Sequence, residues 1–292
     1  MEYRIENELL EVTVSTRGAQ LSSIVRKCDN VEHLWQSDPN VWAFQAPILF
    51  PYCGRLPGGK LMAKGGVYEP KTPHGFARFR EHTLVKQREN SITFELVACD
   101  ETLALWPYKF RLLTTYTLCG ETLHHTLTVE NRDEEEMPFG IGFHPGFAVP
   151  FDSEHKAEDY ALCFDQVENP ICMATPKGMI SGETYRLGTN ITAIPLEEEL
   201  FAHDSHCMTG LQSKTLGLYE KDTGRGVVCS IKNFPYCLIW SMPGVPQFVC
   251  IEPWHSLPGL STGSTRWEDK PAAAILAPGE IWDTTLSIGF VR

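Results

Sequence analysis

Alternation of apolar and polar residues dominates this chain and predicts strands. Leu10-Glu11-Val12-Thr13-Val14 and Ser91-Ile92-Thr93-Phe94-Glu95-Leu96 each send their apolar side chains to one face. Phe110 to Leu118 and Leu123 to Val129 are rich in Thr, Leu and Tyr, and Cys119-Gly120-Glu121 between them is a turn signal, so the pair predicts a β-hairpin. Further strands are expected at Leu216 to Tyr219, Val227 to Ile231, Cys237 to Trp240, Phe248 to Glu252 and Thr284 to Phe290. Pro278-Gly279 is a turn feeding the last of these. Few segments sustain a helical period. The pattern predicts an all-β protein, mostly antiparallel, built as a large sandwich or barrel.

Strand signals run from end to end without a low-complexity linker or an internal repeat, which favours a single domain over residues 1–292. Asp133-Glu134-Glu135-Glu136 is expected as a solvated turn, because contiguous carboxylates on a strand cannot converge on one centre. Glu197-Glu198-Glu199 is expected to cap or start a short helix. The formal net charge of -12, with no clustered basic stripe, argues against nucleic acid and anionic membrane as partners. No stretch approaches the roughly 20 apolar residues of a membrane span. The mixed, charged start Met-Glu-Tyr-Arg-Ile-Glu-Asn-Glu does not resemble a signal peptide. The 10 cysteines include no Cys-x-x-Cys pair, so a zinc ribbon or redox dithiol is not expected. Cys229, Cys237 and Cys250 sit in apolar runs and suit a reduced core, which places the protein in the cytoplasm as an expectation.

Candidate chemistry concentrates in five stretches. Gly140 to Pro150 holds one titratable group, His144, bracketed by glycines and prolines. Its imidazole can exchange a proton near neutrality, and the glycines permit tight bends or a close approach. A buried core histidine in a strand-turn is the alternative. Arg55 lies among prolines and glycines, where its fork of donors could hold several ligand oxygens or pair with a surface carboxylate. His74, between Pro73 and Gly75, is a ligand group or an exposed loop histidine. Asp204 could accept hydroxyl hydrogen bonds, and His203 and His206 beside it lack a third ligand at a zinc spacing. Glu252 ends an apolar strand just before Pro253 and Trp254. Desolvation there would raise its pKa toward that of a general base working near neutrality, and Trp254 offers a flat face for a sugar ring.

Taken together, the stretches resemble the aldose 1-epimerase (galactose mutarotase) family. The ordered motifs are Gly54-Arg55, His74-Gly75-Phe76, Gly-x-His-Pro-x-Phe at 142 to 147, and Glu252-Pro253-Trp254, with Asp204 in the interval of the family's ligand-binding aspartate. The short spacings are more similar to the compact bacterial branch. The resemblance implies a large antiparallel β-sandwich with an open sugar cleft and no metal or other cofactor. It implies Glu252 as the base on the anomeric hydroxyl and His144 as the acid on the ring oxygen. His74 and Arg55 would hold sugar oxygens, Asp204 would bind hydroxyls, and Trp254 would contact the ring. The expected partner is a monosaccharide or a sugar phosphate. Some relatives act on hexose 6-phosphates, and Lys60, Lys64 and Arg78 lie near the Arg55 and His74 motifs in sequence. A sugar-binding or sensing protein without catalysis is the reading of a different class. A glycoside hydrolase using Glu252 and Asp204 would leave His144 without a role. Whether His255 faces the sugar is not legible from the motif.

Overall fold

The computed structural model describes residues 1–270 and 274–292. Among these, two large antiparallel sheets, of nine and eight strands, form the body, and a four-stranded sheet over Glu2 to Glu32 flanks them. The fold is the antiparallel β-sandwich that the alternation and the resemblance predict. The hairpin pairs Phe110–Cys119 with Thr122–Asn131 around a tight Gly120-Glu121 turn, with Gly120 at positive φ. This hairpin lies inside the nine-stranded sheet, next to Ile281–Val291. Its inner face carries Leu112, Tyr116, Leu123, Leu127 and Val129, all fully or almost fully buried.

The other predicted strands form with boundaries shifted by one or a few residues, as Leu10–Ser15, Ser91–Val97, Thr215–Glu220, Gly226–Ser230, Tyr236–Trp240, Phe248–Trp254 and Ile281–Val291. Asp133 begins a turn and binds the Lys64 ammonium at 2.7 Å, and Glu198–Phe201 is a single 3-10 turn. The strands absent from the sequence reading include the nine-residue Tyr160–Glu168 of the nine-stranded sheet as well as several short ones. Thr83–Arg88 borders the nine-stranded sheet with most of its side chains exposed, so no buried face imposes alternation on it.

The two sheets meet face to face. Phe143 of the eight-stranded sheet packs edge-on against His125 of the nine-stranded one, with ring centroids 4.7 Å apart. Phe248–Trp254 is buried at every residue, which explains its continuous apolar run. Alternation still sorts its side chains. Val249 and Ile251 enter the core between the sheets, while Glu252 and Trp254 face the opposite way, into a cleft. The neighbouring Tyr236–Trp240 does the same, with Cys237 and Ile239 in the core and Leu238 and Trp240 in the cleft.

Candidate active site

The cleft has a volume of about 840 Å³ and is walled by the loops above the eight-stranded sheet. It gathers all six residues singled out from sequence: Arg55, His74, His144, Asp204, Glu252 and Trp254. His144 and Glu252 form its floor. Their side chains are 8% and 2% exposed, and His144 Nε2 lies 3.3 Å from Glu252 Oε2. Phe143 points into the core, so the next residue, His144, points into the cleft. Gly142 and Gly146 serve this geometry by close approach. A Cβ at Gly142 would fall 2.5 Å from the Trp254 ring, and one at Gly146 would fall 2.5 Å from the Trp42 ring.

Burial dominates the electrostatics of the pair. It pushes the Glu252 carboxyl well above its ordinary range, and the nearby Asp204 charge pushes the same way. Burial pulls His144 down to about 3, assisted by the Arg78 charge. Both directions favour a carboxylic acid beside a neutral imidazole over an ion pair. Such a pair favours sharing one proton between its two sites.

His74 is held in place by its backbone. It has a φ of 63°, uncommon for a residue with a side chain. Its N–H donates to Gly54 O at 2.8 Å, and its carbonyl accepts from Phe50 N at 3.3 Å. The Gly54 N–H donates to His74 Nδ1 at 3.1 Å. A backbone amide can only donate, so Nδ1 is the unprotonated nitrogen and Nε2–H is a donor. Burial above all, with repulsion from His144 whenever that ring is protonated, holds His74 well below its ordinary pKa, so the neutral tautomer persists.

Gly75 makes this loop possible. Its φ is +72°, and a Cβ there would sit 2.0 Å from the Phe50 carbonyl oxygen, which already accepts from Phe76 N and Ala77 N. Gly75→Ala is expected to cost about 3 kcal/mol of stability through backbone strain and the clash. Chemical denaturation measures it, and a loss under about 1 kcal/mol would show that the loop relaxes freely.

Arg55 is exposed at the rim, where its backbone pairs with Gly178 and Gly259. Asp204 has a φ of 86° and accepts from Ser205 N–H at 2.9 Å. Trp254 is a wall more than a platform. It is 2% exposed, and its indole N–H donates to Phe143 O at 3.2 Å. Trp42 also presents an aromatic ring to the cleft. Its ring stacks on His144 at 5.2 Å and on Phe248 at 4.9 Å, and it lines the cleft. Trp42, Trp240 and Lys177 were not expected from sequence, because each belongs to a segment without a motif and reaches the site only through the fold.

Several neighbours of the motifs lie elsewhere. His255 follows Trp254 and so faces the core side, where Nε2 bonds Thr284 Oγ1 at 2.8 Å. His203 is exposed, and His206 is tied to Leu200 O at 2.6 Å and to the Tyr185 hydroxyl at 2.8 Å. Lys60 pairs with Glu69 and Lys64 with Asp133 and Glu135, outside the cleft wall. Of the three basic residues considered near the motifs, only Arg78 lines the cleft, its guanidinium over Phe44 at 4.5 Å and Phe79 at 4.7 Å.

Known proteins resemble this chain over nearly its whole length. The sequence profile of the aldose 1-epimerase family matches residues 1–288. The plasmid-borne LacX protein of Lactococcus lactis subsp. lactis is 34% identical over 294 residues, covering 95% of each chain. A galactose mutarotase related enzyme from Lactobacillus acidophilus superposes with a TM-score of 0.95 at 28% identity, covering 100% of this chain and 98% of that one. A galactose mutarotase-like protein from Lactobacillus casei gives 0.91 at 28% identity with full coverage of both chains (100% and 100%). No helix among the described residues is long and apolar enough to cross a membrane. With the profile spanning nearly every residue and the fold reproduced in the solved relatives, the chain belongs to the aldose 1-epimerase family.

Proposed function

We propose that the chain interconverts the α and β anomers of a hexose by opening and reclosing the sugar ring. The observation that carries this reading is the buried His144–Glu252 pair, 3.3 Å apart on the cleft floor. Ring opening removes a proton from the anomeric hydroxyl and adds one to the ring oxygen. It needs one base and one acid on two oxygens of the same ring. A pair holding one proton supplies both. In the reactive form Glu252 is ionised and His144 protonated, a form that sugar hydroxyls donating to the carboxylate would favour. Glu252 takes the O1 proton as the C1–O5 bond breaks, and His144 gives its proton to O5. The pair then stands as carboxylic acid and neutral imidazole, as in the empty cleft. Rotation about C1–C2 and reversal of the two transfers close the ring as the other anomer. Total protons on the pair never change.

The surrounding groups fit supporting roles. His74 Nε2–H and Arg55 are donors placed to hold sugar oxygens as charge develops. Asp204 is an acceptor for hydroxyls, and Trp42 and Trp254 present apolar walls to the ring. A binding protein without turnover has no need of both an acid and a base.

A hexose phosphate is the second reading, favoured by a specific observation. Arg55, Arg78 and Lys177 all line the cleft, and the buried Arg78 Nε has no hydrogen-bond partner among the described residues. A phosphate would satisfy such donors.

The test follows freshly dissolved α-glucose, α-galactose and α-glucose 6-phosphate by polarimetry or proton NMR. Anomer interconversion faster than the spontaneous rate is expected, and the sugar accelerated most chooses between the free and phosphorylated readings. A folded protein that accelerates none of them, yet binds one, would replace catalysis with a sugar-binding role.

A further inference from the structure

We propose that Cys250, His144 and Glu252 form a binding site for a borderline-soft divalent cation, with Zn²⁺ as its best occupant. One ligand atom from each residue, a thiol sulfur, an imidazole nitrogen and a carboxylate oxygen, lies within 4.8 Å of the other two. All three side chains are buried, Cys250 completely. A tetrahedral zinc with bonds of about 2.0–2.3 Å separates neighbouring ligand atoms by roughly 3.3–3.7 Å. The nitrogen–oxygen edge already matches at 3.3 Å. Only the sulfur, within 4.8 Å of the other two atoms, must move inward, by at most about 1.3 Å.

The fold explains the convergence. Cys250 and Glu252 are two apart on the strand Phe248–Trp254, so both leave the same face of the sheet. Gly146, paired with Cys250 across the ladder, leaves the sulfur room, since a Cβ there would lie 3.3 Å from it. His144 arrives from the same side, two residues before Gly146. Three protein ligands leave a fourth position, on the cleft side, for water or a sugar hydroxyl. The donor set selects the metal. Thiolate and imidazole suit Zn²⁺ and Co²⁺, whereas Mg²⁺ and Ca²⁺ require oxygen ligands. Coordination releases to solvent the thiol proton and the proton shared by His144 and Glu252.

A second cluster, Asp152, His155 and Glu220, is comparably tight but already holds a cation. The Arg225 guanidinium bonds both of its carboxylates, at 2.8 Å in the case of Glu220. A metal there would have to displace an arginine.

The cluster geometry carries the metal site without reference to sugar chemistry. On the epimerase reading it has a consequence: Zn²⁺ occupies both the acid and the base and inhibits in competition with sugar.

Co²⁺ is titrated into the full, reduced chain with a non-chelating phosphine present. One equivalent is expected to produce a near-ultraviolet thiolate-to-metal charge-transfer band and the visible bands of a tetrahedral ion. Zn²⁺ then displaces it, and Mg²⁺ does not. Cys250→Ser should lose the charge-transfer band and weaken Zn²⁺ at least about tenfold, and His144→Gln should weaken it similarly. Replacing the exposed Cys28, Cys99 and Cys119 together by Ser should leave the band in place. No thiolate band in the wild type overturns the proposal, as does a band that survives in folded Cys250→Ser. If Cys250→Ser fails to fold, unchanged affinity in His144→Gln overturns it. Cobalt bound at Cys250 in a protein that turns over no sugar would leave the metal site standing and remove the epimerase reading.

Discussion

Glu252→Gln is expected to slow anomer interconversion by about a thousandfold in kcat, within the range lost when a positioned general base is removed. The amide matches the carboxyl in shape but accepts no proton. The stability of the variant should change little, and the reason lies in the electrostatics of the site. Burial already pushes the Glu252 carboxyl toward its neutral form, which a neutral amide mimics without leaving an uncompensated charge behind. Lost turnover with an unchanged unfolding midpoint would therefore report chemistry alone. Polarimetry beside the wild type is the measurement. A variant that keeps a tenth or more of the rate would remove Glu252 from the role of base.

Stability is expected to fall steeply as pH drops from about 6.5 toward 4, and histidines are the cause. Burial holds His33, His82 and His255 down to about 4, and His125 and His144 down to about 3. Below about 6.5 the unfolded chain protonates these rings while the native protein keeps them neutral. The unfolded state then binds more protons, so stability declines with falling pH until the native values are reached. Each such ring costs about 1.4 kcal/mol per pH unit in that window. Three acting together would consume a typical reserve of about 5–15 kcal/mol within two to three units. Glu252 works in the opposite sense above about 4.5, because its native carboxyl keeps a proton that the unfolded one releases, but the buried histidines outnumber it. Denaturant midpoints measured from pH 7.5 to 4.5 test this, and a flat profile would sink it. His125→Phe should reduce the slope by one ring's share. His125 sits between Tyr116 and Phe143, and its Nε2 has no partner among the described residues.

The sequence carries the parts of this structure that repeat or cluster locally. The hairpin around Gly120 is legible because both strands have one buried face, which forces alternation on them. Five of the six residues are legible because each stands beside glycine or proline in largely apolar company, where a functional side chain needs an explanation, whereas Asp204, between His203 and Ser205, is legible only from its interval in the family pattern. Position on the strand would also have resolved His255. Glu252 and Trp254 share a face, so the residue after Trp254 must turn to the other side, as its bond to Thr284 shows. Trp42 is a different case. Its contact with His144 depends on the path of a loop that has no periodicity, and nothing local to residue 42 foretells it. The basic residues are similar. Lys60 and Lys64 lie near Arg55 in the chain yet find carboxylates elsewhere, whereas Lys177 reaches the cleft from more than a hundred residues away. Nearness along a chain of this topology is a weak guide to nearness in space.

The strand Phe248–Trp254 divides the molecule into a part that must be conserved in shape and a part free to change. Its core-facing side chains tie Glu252 to close-packed hydrocarbon, so the spacing of Glu252 and His144 inherits the stiffness of the whole sandwich. Arg55, Arg78 and Lys177 stand outside the regular strands, on connecting segments at the cleft rim. Selection can therefore exchange the rim for a new sugar in small steps, each tolerable to the fold, while the floor passes unaltered from one specificity to the next.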